Sequence, residues 1–211
     1  MEKNKFHFSK TEIKHIACAF IALAIAFSFV LYRKEIFSNG FNYNPIFLVN
    51  ALVAVGFGFV LHELGHKFVA QKKGLWAEFR VWPAGLLLAI GMAVLSKGAF
   101  VFAAPGAVMI SPVQKHRFGY SMALLKEDDI GKISIAGTVI NLILASIFSL
   151  IFAFTGWQLA IITAQVNAWL AIFNLLPFGM LDGYKVWMWK KSIWGLAMLA
   201  SVGLFWLTVV L

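Results

Sequence analysis

The sequence predicts an all-α polytopic membrane protein with about five transmembrane helices plus a re-entrant, membrane-associated β element. Of its 211 residues, 61% are apolar and only 13% are charged, whereas a soluble domain is about half apolar and about a quarter charged. Several apolar runs reach about 18 residues, which is long enough to cross the hydrocarbon core of a bilayer. The net charge of +9 is typical of basic cytoplasmic loops. Composition therefore excludes an ordinary soluble or disordered chain, and we expect no nucleic-acid partner.

Each element follows from a change in composition along the chain. Two apolar runs end at basic residues, and a central polar loop separates them from three later runs. The stretch LWAEFRVW alternates and is rich in aromatic residues, which is typical of a strand. A three-residue connection, 156–158, predicts that the spans on either side are antiparallel neighbours. We interpret residues 1–211 as one integral membrane domain with these segments: cytoplasmic amino terminus 1–14, first span 15–32, second span 46–71, β/re-entrant region 75–110, central spans 133–155 and 159–177, and last span 192–211.

The number of spans depends on residues 84–96, an apolar segment of about 13 residues that is short for a full crossing. If it re-enters, five spans place 15 of the 18 basic residues on the cytoplasmic side: four in 1–14, eight in 72–132 and three in 185–191. If it crosses, six spans place only 7 there and 10 on the other side. The positive-inside rule favours five spans with a cytoplasmic amino terminus, and six remain the alternative.

The second span carries the motif His62-Glu63-Leu64-Gly65-His66. Residues i and i+4 share one helix face, so both imidazoles can reach one metal ion. HExxH on a helix is the arrangement of zinc proteases, in which the glutamate is the general base. The alternative is a polar helix contact or a histidine pair near the membrane interface. Because ionisable groups within spans are costly, the metal interpretation is favoured.

A catalytic zinc site usually has three protein ligands, so one more is needed. Asp182 lies at the end of a long apolar segment between Gly179 and Gly183, and these glycines permit a bend that aims the carboxylate inward. The alternative role for Asp182 is to cap the following helix. His116 lies in a basic loop and is better explained as a solvated surface residue.

These motifs together resemble the site-2 protease family of intramembrane zinc metalloproteases. That family combines HExxH in a transmembrane helix with Asn-x-x-Pro followed by Leu-Asp-Gly, seen here from Asn174 to Pro177 and at 181–183. The resemblance implies one Zn²⁺ held by His62, His66 and Asp182. It also implies Glu63 as the base and places Asn174 near the reacting carbonyl.

Two further family features bear on this chain. The family's Gly-Pro-x-x-Asn motif has Thr138 in place of proline but retains Asn141, so Asn141 is a further candidate catalytic residue, with a helix-packing hydrogen bond as the alternative. Many members carry a PDZ domain between the central spans, where this chain has only residues 156–158, so the resemblance implies the compact form without it. It also implies a β-sheet after the HExxH helix, to whose edge an extended substrate could add.

The expected activity is hydrolysis of a peptide bond within or near a transmembrane segment of a membrane-protein substrate, as in regulated intramembrane proteolysis. Its partners are then that transmembrane substrate and the lipid bilayer. The expected location is a multi-pass membrane protein with its active site toward the cytoplasmic leaflet, since His62 lies about 10 residues before Lys72 and Lys73. The alternatives are a membrane metal-ion transporter, which usually shows an extended polar pathway or inverted repeats, and a non-catalytic binder of membrane helices.

Overall fold

A computed structural model describes residues 7–38, 41–111, 113–116, 119–122, 125–179 and 181–211, with the backbone alone described from 113 to 122. The first six residues of the predicted amino-terminal segment lie outside the described residues. In the described part of the chain, the elements in order are α1 (Lys10–Leu31), α2 (Arg33–Phe37), α3 (Pro45–Val55), a π-helical turn (Gly56–Val60), α4 (Leu61–Lys72), β1 (Trp76–Val81), α5 (Pro83–Leu95), β2 (Gly106–Ser111), β3 (Val113–His116), β4 (Gly119–Met122), α6 (Glu127–Thr155), α7 (Gln158–Asn174), α8 (Asp182–Trp189) and α9 (Lys191–Val210).

Local capping explains where the first two long helices begin. Ser9 caps α1 by accepting a hydrogen bond from the Glu12 N–H at 3.0 Å, so the helix starts five residues before the predicted span at 15. Asn44 caps α3 in the same way, and Pro45 occupies its first turn, where a missing N–H costs nothing. The helix then runs through the π turn into α4.

Among the described residues, four helices are long and apolar enough to cross a membrane: Lys10–Leu31, Pro45–Lys72, Glu127–Thr155 and Lys191–Val210. The second of these is 28 residues long and contains α3, the π turn and α4. The predicted fourth span, 159–177, is the 17-residue helix α7. The described part of the chain is mostly helical, with two small antiparallel sheets, β1–β2 and β3–β4.

The region after the HExxH helix leaves the sheet and returns to it. β1 pairs with β2 in antiparallel register, with Val81 opposite Gly106, and the Trp82 N–H donates to the Pro105 carbonyl at 2.8 Å. The segment that contains the 13-residue helix α5 and the chain after it therefore begins and ends at neighbouring positions of the sheet. The second strand begins at Gly106, after a segment in which Gly98 has a left-handed φ of 74°.

Helix α6 packs against α4, α7 and α8. Its contact with α4 is close because glycines face it: a Cβ on Gly65 would lie 2.5 Å from the Ile140 side chain and 3.2 Å from the Ala136 carbonyl oxygen. The principal apolar core is built from α1, α3, β1, α5 and α7. The HExxH helix contacts strand β1, which contributes to this core, and it packs on α6 through a glycine-lined contact.

Candidate metal centre

Helix α4 places the two motif histidines on one buried face. Their Nε2 atoms lie 2.9 Å apart, and both side chains are almost fully buried. The Nδ1 atom of His66 lies 2.7 Å from the Ile133 carbonyl oxygen of α6. A protonated Nδ1 donates to this carbonyl, which fixes the ring and leaves Nε2 as the free ligand atom.

Asp182 completes the group from the first turn of α8. Its Oδ2 lies 2.9 Å from His66 Nε2 and 3.5 Å from His62 Nε2. The other oxygen, Oδ1, accepts from Lys185 Nζ at 3.5 Å. Burial alone disfavours a charged carboxyl, but the imidazoles of His66 and His62 outweigh it, and the pKa of Asp182 lies well below its usual range.

Two close contacts hold α8 in place. A Cβ on Gly183 would lie 2.1 Å from the Leu175 backbone, so the start of the helix rests directly on the end of α7. At the other end of α8, the Trp189 ring covers Gly131, and its indole N–H donates to Asp128 Oδ1 at 3.1 Å. The carboxylate of Asp182 is therefore set by packing at both ends of a short helix.

The three side chains fit a zinc ion. Their ligand atoms all lie within 4.8 Å of one another, and two imidazoles with one carboxylate form a ligand set of the type that catalytic zinc uses. Both imidazoles lie directly against Gly137 of α6: a Cβ there would lie 2.5 Å from His66 Nε2 and 2.6 Å from His62 Nε2. Only a residue without a side chain fits against both ring nitrogens.

Glu63 lies next to this group on the wall of a cavity of about 310 Å³. The side chains of His66, Asp182 and Asn174 also line the cavity, and residues 103–110 form its opposite wall. Glu63 is 8% exposed, and its buried Oε2 has no hydrogen-bond partner among the described residues. An unpaired carboxylate thus lines the cavity beside the metal ligands.

The two candidate asparagines occupy different places. Asn174 lines the cavity and donates one amide hydrogen to the Leu170 carbonyl at 3.0 Å. Asn141 is fully buried one helical turn beyond Gly137, it is not among the cavity-lining residues, and neither of its side-chain polar atoms has a hydrogen-bond partner among the described residues. The structure therefore brings Glu63, His66, Asn174 and Asp182 to one cavity, with His62 against His66 and Asp182, whereas Asn141 lies outside the cavity lining.

Other polar residues lie nearby that the motifs do not indicate. Lys185 and Arg80 both line the cavity, and Arg80 Nη2 lies 3.1 Å from Glu78 Oε2. Lys185 lies three residues after Asp182 on a helix, a spacing that permits an ion pair between them. Nothing in the sequence around Arg80 indicates that it lines the cavity. Of the remaining histidines, His15 bonds to strand β1, and the side chain of His116 lies outside the described residues.

Curated proteins with related sequences are named as zinc metalloproteases. "Putative zinc metalloprotease MJ0611" of Methanocaldococcus jannaschii is 35% identical over 203 residues, which cover 94% of each chain. "Putative zinc metalloprotease YwhC" of Bacillus subtilis is 30% identical over 166 residues, 69% of this chain and 71% of that protein. The chain belongs to the site-2 protease family. A third relative, "Zinc metalloprotease MJ0392" of Methanocaldococcus jannaschii, is 26% identical over 79% of this chain and 41% of its own length.

Membership of the site-2 protease family confirms the resemblance seen in the motifs. No family model and no solved structure matches the chain. The names of the relatives support a zinc metalloprotease, and the cluster of His62, His66 and Asp182 supplies a group of residues that could bind the zinc.

Proposed function

We propose that the chain is an intramembrane zinc metalloprotease that hydrolyses a peptide bond within or near a transmembrane segment of a membrane-protein substrate. The observation that carries this proposal is the position of the HExxH motif. It lies in a 28-residue apolar helix, and its histidines meet Asp182 beside a cavity that Glu63 also lines. A membrane-length helix thus carries two of the three proposed ligands and the candidate base.

Each residue of the site has its own role in the proposed hydrolysis. Zinc, when bound, supplies a Lewis acid that activates water and polarises the scissile carbonyl. His62, His66 and Asp182 would hold it. The Glu63 carboxylate, which lines the cavity, accepts the proton of the attacking water and passes it to the leaving amine. Asn174 has one amide hydrogen on Leu170, and its second is free to donate to the carbonyl oxygen of the substrate.

The strand wall suits an extended substrate. A substrate helix hides its peptide bonds in its own hydrogen bonds, so it must unwind before cleavage. β2 pairs with β1 on one edge, and residues 106–110 of its length line the cavity. An unwound segment that adds to the other edge of β2 would lie along the cavity wall in a straight form.

The orientation in the membrane is part of the same proposal. The pairing of β1 with β2 on either side of α5 supports a position of both strands on the same side of the bilayer, and hence five spans over six. The HExxH helix ends at Lys72 and Lys73, and these lysines favour the cytoplasmic side. We therefore place the amino terminus in the cytoplasm and the cavity toward the cytoplasmic leaflet.

The test is cleavage of a transmembrane substrate by the purified protein in proteoliposomes. We expect Glu63→Gln to retain about one zinc per chain and to lose at least ~100-fold in cleavage rate, the usual contribution of a general base. Glu35→Gln, which changes an exposed glutamate on α2, serves as the matched control and should cleave normally. Wild-type cleavage by the Glu63 variant, or zinc uptake into the vesicles without hydrolysis by the wild type, would contradict the proposal.

A further inference from the structure

A buried ion pair joins the start of α1 to the HExxH helix. Glu12 Oε2 and Lys67 Nζ lie 2.5 Å apart, and the two residues are 1% and 2% exposed. The Lys67 ammonium also lies 4.4 Å from the centre of the Phe8 ring. Because buried charges are costly unless they are paired and hydrogen-bonded, this contact strongly favours one placement of α1. Lys67 directly follows the metal-ligand candidate His66.

The Glu12 carboxylate also forms a hydrogen bond with the sheet. Glu12 Oε1 accepts the Phe79 N–H of β1 at 3.0 Å. Three residues along α1, His15 Nδ1 accepts the Val81 N–H at 3.4 Å. Residues 12 and 15 share a helix face, and residues 79 and 81 share a strand edge. Helix α1 therefore covers the edge of β1 that faces away from β2.

The antiparallel pairing links the position of β1 to the position of β2. Phe79 and Val81 stand opposite Val108 and Gly106. Since the N–H groups of 79 and 81 point away from β2, these are the non-hydrogen-bonded pairs of the ladder. The matching backbone groups of 106 and 108 then point away from β1, toward the other edge of β2, and both residues line the cavity. Moving β1 would shift these groups relative to Glu63.

We propose that Glu12 is a positioning residue for proteolysis. By bonding Lys67 and the Phe79 N–H at once, it sets the distance between the HExxH helix and the β2 edge that receives an extended substrate segment. His15 assists at Val81. The inference rests on the proposed function, since it assigns Glu12 a role in placing the substrate beside the base.

The experiment compares two double variants that both remove the buried charges. In Glu12→Gln/Lys67→Met, the amide oxygen at position 12 can still accept the Phe79 N–H. In Glu12→Leu/Lys67→Met, a side chain of similar size cannot. Both avoid an unpaired buried charge, so both are expected to fold, and thermal unfolding with zinc analysis checks this for each.

We expect the Gln/Met variant to cleave the membrane substrate with kcat/KM within about threefold of the wild type, and the Leu/Met variant to lose about tenfold, the effect of one hydrogen bond. The loss should appear in KM, with kcat and zinc content retained, because the β2 edge is displaced while the metal centre is intact. A purely structural role would instead lower the unfolding temperature and leave KM unchanged.

Two results would overturn the inference. Equal kcat/KM for the Gln/Met and Leu/Met variants would show that the acceptor at position 12 does not place the sheet. Loss of zinc in the Leu/Met variant would show that Glu12 acts on the metal centre itself. In either case the wild type still cleaves and the Glu63→Gln variant does not, so the proposed function stands. If the wild type cleaves nothing, both ideas are wrong.

Discussion

The cavity has a helical wall and a strand wall, and the two are held in place by opposite means. On the helical wall, glycines bring α4, α6 and α8 into close contact, with Gly137 directly against the two imidazoles. On the strand wall, a buried ion pair and edge hydrogen bonds tie β1 to α1 and α4. The helical wall depends on close packing against glycines, whereas the strand wall depends on the pairing of buried charges. Each wall should therefore fail under a different kind of substitution.

The largest effect is expected on the strand wall, from Lys67→Met. This change leaves the Glu12 carboxylate buried without its cation, and breaking such a pair costs about 3–5 kcal/mol. Chemical denaturation in detergent measures the loss of stability. The double variant Glu12→Gln/Lys67→Met is the control and should recover most of it. An equal loss in both variants would mean that packing rather than charge matching holds this wall.

The helical wall should respond to a single added methyl group in Gly137→Ala. Its Cβ would meet both metal-facing nitrogens at 2.5 and 2.6 Å, and such overpacking costs about 1–3 kcal/mol. If the strain falls on the ligands, zinc affinity drops roughly 10- to 100-fold. Competition with a chelator measures it. Gly203→Ala on α9 meets nothing within 4 Å and should bind zinc as the wild type does.

The smallest effect concerns Lys185, which touches the metal centre from the cavity side. Its Nζ lies 3.5 Å from Asp182 Oδ1, and its side chain is 39% exposed. Exposed ion pairs contribute about 0.2–1 kcal/mol, and the ammonium competes with a bound cation for Asp182, so Lys185→Met should strengthen zinc binding by no more than about fivefold. Lys34→Met, an exposed lysine of α2, is the control. A hundredfold loss would mean that Lys185 is as essential to the centre as the ligands themselves.

Much of the site could be predicted because its parts are local. Residues 62 and 66 share a face in any α-helix, and Asp182 was recognisable as an acid at the end of an apolar segment with a nearby glycine on each side. The structure brings these three together. Asn174 lies on the same cavity, but the roles predicted for Glu63, Asn174 and Asn141 stay predictions. Asn141 is buried outside the cavity lining, so its candidate role depends on contacts that a motif does not specify.

The fold was predictable to a similar degree. Apolar runs located the long helices, and the alternation around Trp76 predicted β1. The ends of elements were less accurate. The helix α1 includes residues 10–14, which were expected to form a polar terminus, because Ser9 caps it and Glu12 finds a buried partner. A lone charge within a span is costly, so Lys67 needs a partner, but nothing in the sequence around it identifies that partner as Glu12.

By itself, the sequence determined the membrane-like composition, the long helices and the metal-binding residue types, because these depend on local spacing and on side-chain chemistry. Only the tertiary structure decided what stands against them: Gly137 opposite the imidazoles, Trp189 over Gly131, and Glu12 between Lys67 and the Phe79 N–H. Glu12 and Lys67 are 55 positions apart. Such pairs form when helices and strands pack, and the free energy that selects them comes from burying apolar surface and matching buried charges across the whole fold.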